Sequence, residues 1–128
     1  MIEGIDHIAI TVRDLNESLE FYTKLLGLTV VRKMETPDMN IVFLQAGETK
    51  IELFGLKKEK TNAPIPIGTK DLGLKHIAFK VDNVEALAKD LKDKGINFIR
   101  GPEKTVAGLT IAFFKDPNDV SIELIQWK

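Results

Sequence analysis

Two short segments of this chain share one pattern, and each contains one of its only two histidines. The first reads His-Ile-Ala-Ile-Thr-Val from His7, and the second reads His-Ile-Ala-Phe-Lys-Val from His76. A second repeated segment follows each of them: Glu52 and Glu123 are each the middle residue of the sequence Ile-Glu-Leu. The chain is therefore a tandem repeat of about 70 residues, which predicts two copies of one supersecondary unit.

The order of strand and helix patterns is the same in both halves. In the first half, alternation predicts a strand over 5–12, and Asp14 with Glu17 forms a capping box for a helix that ends at Gly27. Further strands are predicted over 29–35, 40–46 and 50–54. The second half has predicted strands over 76–81, 97–100, 109–115 and 121–126, and a helix that Asp82 or Asn83 caps and Gly95 ends. The predicted modules are residues 1–55 and 74–128, joined by a linker over 56–73.

Composition excludes several classes of function. A net charge of −1 provides no clustered positive field for nucleic acid. The chain has no cysteine, which excludes disulfides and thiolate metal sites and is compatible with a reducing compartment. Its N-terminus has no signal-peptide pattern, and no apolar run is long enough to span a bilayer. We therefore expect a cytoplasmic protein with no nucleic-acid or membrane partner.

Strand alternation predicts the direction of the two histidines and the two glutamates. His7 shares a strand face with Ala9, and His76 shares one with Ala78, whereas the opposite faces carry bulky residues that suit helix packing. A carboxylate within an apolar strand is costly unless it is paired or binds a metal. Any one of these residues taken alone is better explained as an ordinary strand residue, but their repetition favours a site for a divalent first-row ion. The predicted metal ligands are His7, Glu52, His76 and Glu123.

These segments resemble the vicinal oxygen chelate superfamily, which includes glyoxalase I, methylmalonyl-CoA epimerase, extradiol dioxygenases, and the fosfomycin and bleomycin resistance proteins. The resemblance covers the whole chain and is carried by residues 7–15, 18–27, 73–81 and 114–117 and by the Ile-Glu-Leu around Glu123. It implies an α+β fold in which two βαβββ modules form a cupped, incomplete eight-stranded barrel. It also implies a metal site within the cup, a small-molecule substrate and a homodimer.

The resemblance is closest to glyoxalase I-like and methylmalonyl-CoA epimerase-like members, because the ligand positions are filled in the order His, Glu, His, Glu. It implies a lyase or isomerase that acts on a 2-oxoaldehyde–thiol adduct by proton abstraction through a metal-stabilised enediolate. Glu123 is then the principal base and Glu52 its counterpart. The implied cofactor is nickel, cobalt or zinc, with iron or manganese as further candidates. An acyl-CoA epimerase, a ring-cleaving dioxygenase and a non-catalytic drug-binding protein are the alternatives.

One position departs from the glutathione-dependent pattern. Glutathione-using glyoxalases carry an arginine four residues after the first histidine, and this chain has Thr11 there. The thiol that the protein uses is therefore open. Arg13 and Lys80 are candidate substitutes for the missing charge, although an ordinary surface position explains each of them as well. Core packing is the preferred explanation for Phe54 and Phe113, which could also line the pocket.

Overall fold

A computed structural model of the chain describes residues 1, 3–57, 72 and 74–127. The chain divides into two compact units, Met1–Ala63 and Pro64–Lys128, and each contains one four-stranded sheet. The predicted linker over 56–73 lies outside the described residues except at positions 56, 57 and 72, so the module boundaries stay a prediction. In the described ranges, no helix has both the length and the apolar character needed to cross a bilayer.

The first module has the order strand, helix, strand, strand, strand. Its elements are β1 (His7–Val12), α1 (Leu15–Glu20), β2 (Thr29–Glu35), β3 (Met39–Ala46) and β4 (Thr49–Leu56), and a π-helical turn over Phe21–Leu25 extends α1. The sheet order is β1-β4-β3-β2, with β1 parallel to β4 and the other pairs antiparallel. The first and last strands of the module are therefore neighbours.

The second module repeats this arrangement. Its elements are β5 (Ile77–Lys80), α2 (Val84–Asp93), β6 (Phe98–Lys104), β7 (Thr110–Lys115) and β8 (Ser121–Gln126), in the sheet order β5-β8-β7-β6. The predicted fold of two βαβββ modules is confirmed. The strand predicted over 97–100 is too short, because Glu103 and Lys104 still pair with β7 and extend β6 into the predicted loop.

Each sheet buries one face beneath its helix. The buried apolar side chains of the last strands are Ile51 and Leu53 in β4 and Ile122 and Leu124 in β8. The helices α1 and α2 contact these same strands. Alternation then places the glutamate between each apolar pair on the opposite face, as the sequence predicts.

Both helices begin with a side-chain cap. Asp14 Oδ1 accepts a hydrogen bond from the backbone N–H of Glu17 at 3.1 Å, and Asn83 Oδ1 accepts one from that of Ala86 at 2.9 Å. Each cap satisfies a backbone donor that has no partner within the helix. Asn83, rather than Asp82, is therefore the cap of α2.

Removal of either cap is expected to cost stability. Asp14→Ala and Asn83→Ala should each lower the free energy of unfolding by about 1 kcal/mol, measured by urea denaturation. Glu17→Gln is the control for Asp14, because the observed bond uses the backbone of residue 17. An equal loss in that control would show that the cap is not the cause.

Candidate functional site

The parallel pairing of β1 with β4 places His7 beside Glu52. Ala9 lies directly opposite Glu52 in this register, so His7, two residues earlier on the same face, is the diagonal neighbour of Glu52. The Nε2 atom of His7 lies 3.3 Å from Oε1 of Glu52. The Glu52 side chain is only 12% exposed, whereas that of His7 is 39% exposed. The pairing of the first and last strands of the module thus brings His7 and Glu52 into one polar contact.

The second module builds the same contact. Ala78 lies opposite Glu123, and the Nε2 atom of His76 lies 3.1 Å from Oε1 of Glu123. The exposed fractions are nearly the same as in the first module, 38% for the His76 side chain and 11% for that of Glu123. The same residue types, strand register and burial therefore occur twice. This repetition indicates a constraint other than packing, because packing alone does not require a nearly buried carboxylate in both modules.

A phenyl ring lies against each of these pairs. Phe43 is directly opposite Glu52 on β3, and its ring meets the His7 imidazole edge to face at 5.6 Å between centroids. Phe113 on β7 is opposite Glu123 and meets the His76 imidazole in the same way at 5.5 Å. Aromatic contacts of this type restrain the rotation of the imidazole. Each His–Glu pair thus has an apolar wall on one side.

Of the two aromatic walls, the sequence indicated Phe113 as a residue that could line the site but did not indicate Phe43. Core packing was the preferred explanation for Phe113, whereas its ring contacts His76 on the face that carries Glu123, which favours the alternative that it lines the site. Phe43 was not a candidate at all. The signal was present in the repeat, because Ile-Val-Phe-Leu over 41–44 corresponds to Ile-Ala-Phe-Phe over 111–114.

Asp6 orients the imidazole of the first module. Its Oδ2 atom lies 2.8 Å from Nδ1 of His7, and its Oδ1 atom lies 3.4 Å from Nζ of Lys50. The hydrogen bond with His7, followed by that with Lys50, holds the pKa of the Asp6 carboxyl below its usual range. Asp6 is therefore an anion at neutral pH and accepts the Nδ1–H of His7. The second module has Lys75 at the equivalent position.

The geometry of each pair fits two neighbouring ligands of one small cation. Ligands at about 2.1 Å from a first-row ion stand roughly 3.0 to 3.4 Å apart, and the two N···O distances, 3.3 and 3.1 Å, lie in this range. With the Nδ1–H of His7 donated to Asp6, the Nε2 atom of the imidazole faces the Glu52 carboxylate. Two acceptors that face each other require a proton or a metal cation between them.

Each module by itself supplies two donors of this kind. Within the described ranges, no group of three or more His, Cys, Asp and Glu side chains is arranged to hold a metal ion. The binding of one ion by all four residues, His7, Glu52, His76 and Glu123, therefore stays a prediction.

The chain is similar to proteins of one superfamily. A sequence model of the Glyoxalase/Bleomycin resistance protein/Dioxygenase superfamily matches residues 4–124. A probable lactoylglutathione lyase of Synechocystis sp. is 37% identical, over 94% of this chain and 92% of that protein. The mitochondrial methylmalonyl-CoA epimerase of Homo sapiens is 34% identical, over 95% of this chain and 73% of that protein. A solved structure of the trypanothione-dependent glyoxalase I of Leishmania major has a TM-score of 0.78 and 29% identity, covering 98% of this chain and 87% of that chain.

Proposed function

Because the chain belongs to the glyoxalase/bleomycin resistance protein/dioxygenase superfamily, we propose that it is a glyoxalase I-like enzyme acting on the adduct of a thiol with a 2-oxoaldehyde. The observation that supports this most is the His–Glu contact that both modules build with one register. The names of relatives add support, since lactoylglutathione lyases are among them at 33% and 37% identity.

The proposal includes a divalent metal ion. Proteins of this superfamily generally use one, and we assign His7, Glu52, His76 and Glu123 as its ligands. Imidazole and carboxylate donors suit nickel, cobalt or zinc, and also iron or manganese. When bound, such an ion polarises a substrate carbonyl and stabilises the negative charge that develops on its oxygen.

The two carboxylates are the proton-transfer groups of the proposal. Glu123 removes the proton from the carbon next to the substrate carbonyl, and Glu52 is its counterpart for the return of a proton. Their low exposure limits competition from water, and the phenyl rings of Phe43 and Phe113 cover one side of each pair. A carboxylate with so little exposed surface contacts few water molecules that would compete in proton transfer.

Metal content is the first test of the ligand assignment. Elemental analysis of protein purified without chelators should find about one divalent ion per set of four ligands. His76→Ala should remove most of it, because the imidazole nitrogen is a direct ligand in this assignment. Lys80→Ala is the control, since Lys80 lies nearby at the end of β5 but carries no suitable donor lone pair. Unchanged metal in His76→Ala would remove this residue from the ligand set.

A substrate panel tests the reaction class. The metal-loaded protein should convert hemithioacetals of methylglyoxal with one or more thiols into the corresponding thioesters. Oxygen uptake with a catechol would favour a ring-cleaving dioxygenase instead. Binding of an apolar drug without turnover of any substrate would favour a sequestering protein.

An acyl-CoA epimerase is the second candidate function. It is favoured by the human methylmalonyl-CoA epimerase at 34% identity and by Thr11, which stands where glutathione-using members carry an arginine. Both reactions begin with removal of a proton next to a carbonyl, so the same carboxylates serve either of them. Exchange of the α-hydrogen of methylmalonyl-CoA in D2O, followed by NMR, would distinguish this activity from thioester formation.

We further propose that the chain acts as a homodimer, as the family resemblance implies, and that it is located in the cytoplasm. Sedimentation velocity would then give twice the 14.3 kDa mass of one chain. A mass of one chain at micromolar concentration would contradict this part of the proposal.

A further inference from the structure

A β-bulge in β2 turns an arginine onto the face of the His–Glu pair. Val30 lies opposite Leu44, which is buried on the helix side of the sheet, whereas Arg32 lies opposite Phe43. Residues two apart on a regular strand share a face, so the register shift at Val31 is what separates Val30 from Arg32. Arg32 therefore lies on the same face as Phe43, which contacts the imidazole.

The second module has the same bulge and the same outcome. Phe98 lies opposite the buried Phe114, whereas Arg100 lies opposite Phe113. The guanidinium carbon of Arg100 lies 6.0 Å from the centroid of the Phe113 ring, which places this side chain directly on the site face. The arginine position is thus part of the repeat.

One row of directly opposite residues crosses each sheet on this face. The rows are Ala9, Glu52, Phe43 and Arg32 in the first module, and Ala78, Glu123, Phe113 and Arg100 in the second. Because neighbouring strands lie about 4.8 Å apart, each arginine backbone is roughly 10 Å from the glutamate backbone of its row. That separation suits a second group on the same small substrate.

The two arginines differ in their partners. Arg100 forms an ion pair with Glu103. Glu103 lies opposite Ile111 of β7, and the residue that lies opposite the equivalent Ile41 of β3 is Met34. Arg32 therefore has no carboxylate at the equivalent place. It is exposed, and within the part of the chain that the structure describes no ion pair neutralises its charge.

We propose that Arg32 binds an anionic group, a carboxylate or a phosphate, on the thiol portion of the substrate. This inference rests on the proposed function and adds the substrate class to it. A guanidinium binds either group through two parallel hydrogen bonds, which fixes the orientation of the ligand as well as its charge. Arg32 then supplies a cation from β2, at the opposite edge of the sheet from Thr11 on β1.

The two cations that the sequence suggested are less well placed. Arg13 follows the end of β1 and makes an interaction of its own. Lys80 lies on the face of His76 but belongs to the module in which the arginine is already neutralised. Arg32 is thus the stronger candidate of the three.

Turnover of matched thiol adducts tests the inference. The adducts of methylglyoxal with glutathione (carboxylates), coenzyme A (phosphates) and 2-mercaptoethanol (neutral) differ in the anion they carry. Arg32→Gln should raise KM about 10- to 100-fold for one of the anionic adducts. It should leave kcat, and KM for the neutral adduct, unchanged. The anionic adduct that is affected identifies carboxylate or phosphate as the ligand.

Two further variants test the physical reason. Met34→Glu should reproduce the rise in KM although Arg32 is retained, because the new carboxylate would pair with it as Glu103 pairs with Arg100. Arg100→Gln is the matched control and should leave KM for every adduct unchanged. The proposal would be overturned if Arg32→Gln and Arg100→Gln changed KM equally. It would also be overturned if Arg32→Gln raised KM for the neutral adduct as much as for the anionic ones.

Direct binding separates this inference from the proposed function. In the metal-free protein, the arginine Nε–Hε signals are followed by NMR during titration with glutathione, coenzyme A or 2-mercaptoethanol. The Arg32 signal, assigned with Arg32→Gln, should shift and saturate with an anionic thiol only. If no adduct is turned over but this shift occurs, the proposed function fails and the anion site stands. An Arg32 signal that no anionic thiol moves would overturn the site, whatever the enzyme does.

Discussion

Glu123→Gln is expected to keep the metal content of the protein close to that of the wild type and to lower kcat by about a thousandfold. Glutamine has the same shape and retains a carbonyl oxygen that can still coordinate, but it cannot accept a proton at neutral pH. Glu123 is also buried among an imidazole, a phenyl ring and the strand β7, so a neutral side chain of equal size should fit without loss of the fold. Steady-state kinetics, elemental analysis and thermal unfolding on one preparation measure these three quantities.

Glu52→Gln is the matched control, because Glu52 has the same register, the same aromatic neighbour and the same exposure in the first module. If Glu123 is the principal base, this variant should lose much less activity than Glu123→Gln. Equal losses of kcat would show that the two carboxylates share the role. Loss of the metal together with activity in Glu123→Gln would count against a separate base role for this residue.

Gly101→Ala should lower the free energy of unfolding by about 3 kcal/mol. Gly101 has a φ angle of +76°, which is strained for any residue with a side chain. A Cβ atom at this position would also lie 2.5 Å from the carbonyl oxygen of Ile111 and 3.1 Å from Cα of Ala112. Both of those are backbone atoms of β7, which pairs on its other side with β8 and has little room to move. Urea denaturation measures the loss.

Gly27→Ala separates strain from collision. Gly27 has nearly the same φ angle, +77°, but a Cβ there would meet nothing within 4 Å. Its substitution should therefore cost only the conformational strain, about 1 to 2 kcal/mol. If the two variants lose the same stability, the contact with Ile111 contributes nothing and β7 yields to the added methyl group.

Much of the fold follows from local patterns in the sequence. Alternation alone predicts that the side chain of Glu52 points to one face of the sheet and those of Ile51 and Leu53 to the other. In the structure both of these apolar side chains are buried. Asp14 caps α1 as its spacing from Glu17 predicts. Such features are predictable because they depend on residues a few positions apart, so the polypeptide backbone itself relates them. The repeat then extends each prediction from one half of the chain to the other.

What only the tertiary structure decided is the lateral register of the strands. The sequence determined that His7 and Glu52 each point away from the helix, but the parallel pairing of β1 with β4 brings Nε2 within 3.3 Å of Oε1. Alternation would also have placed Arg32 on the face of Val30, whereas the bulge at Val31 places it beside Phe43. A bulge is set by the pairing of a strand with its neighbour and leaves no trace in a two-residue period. The sequence by itself thus names the residues of each pair, and strand pairing alone determines which other side chains share their face.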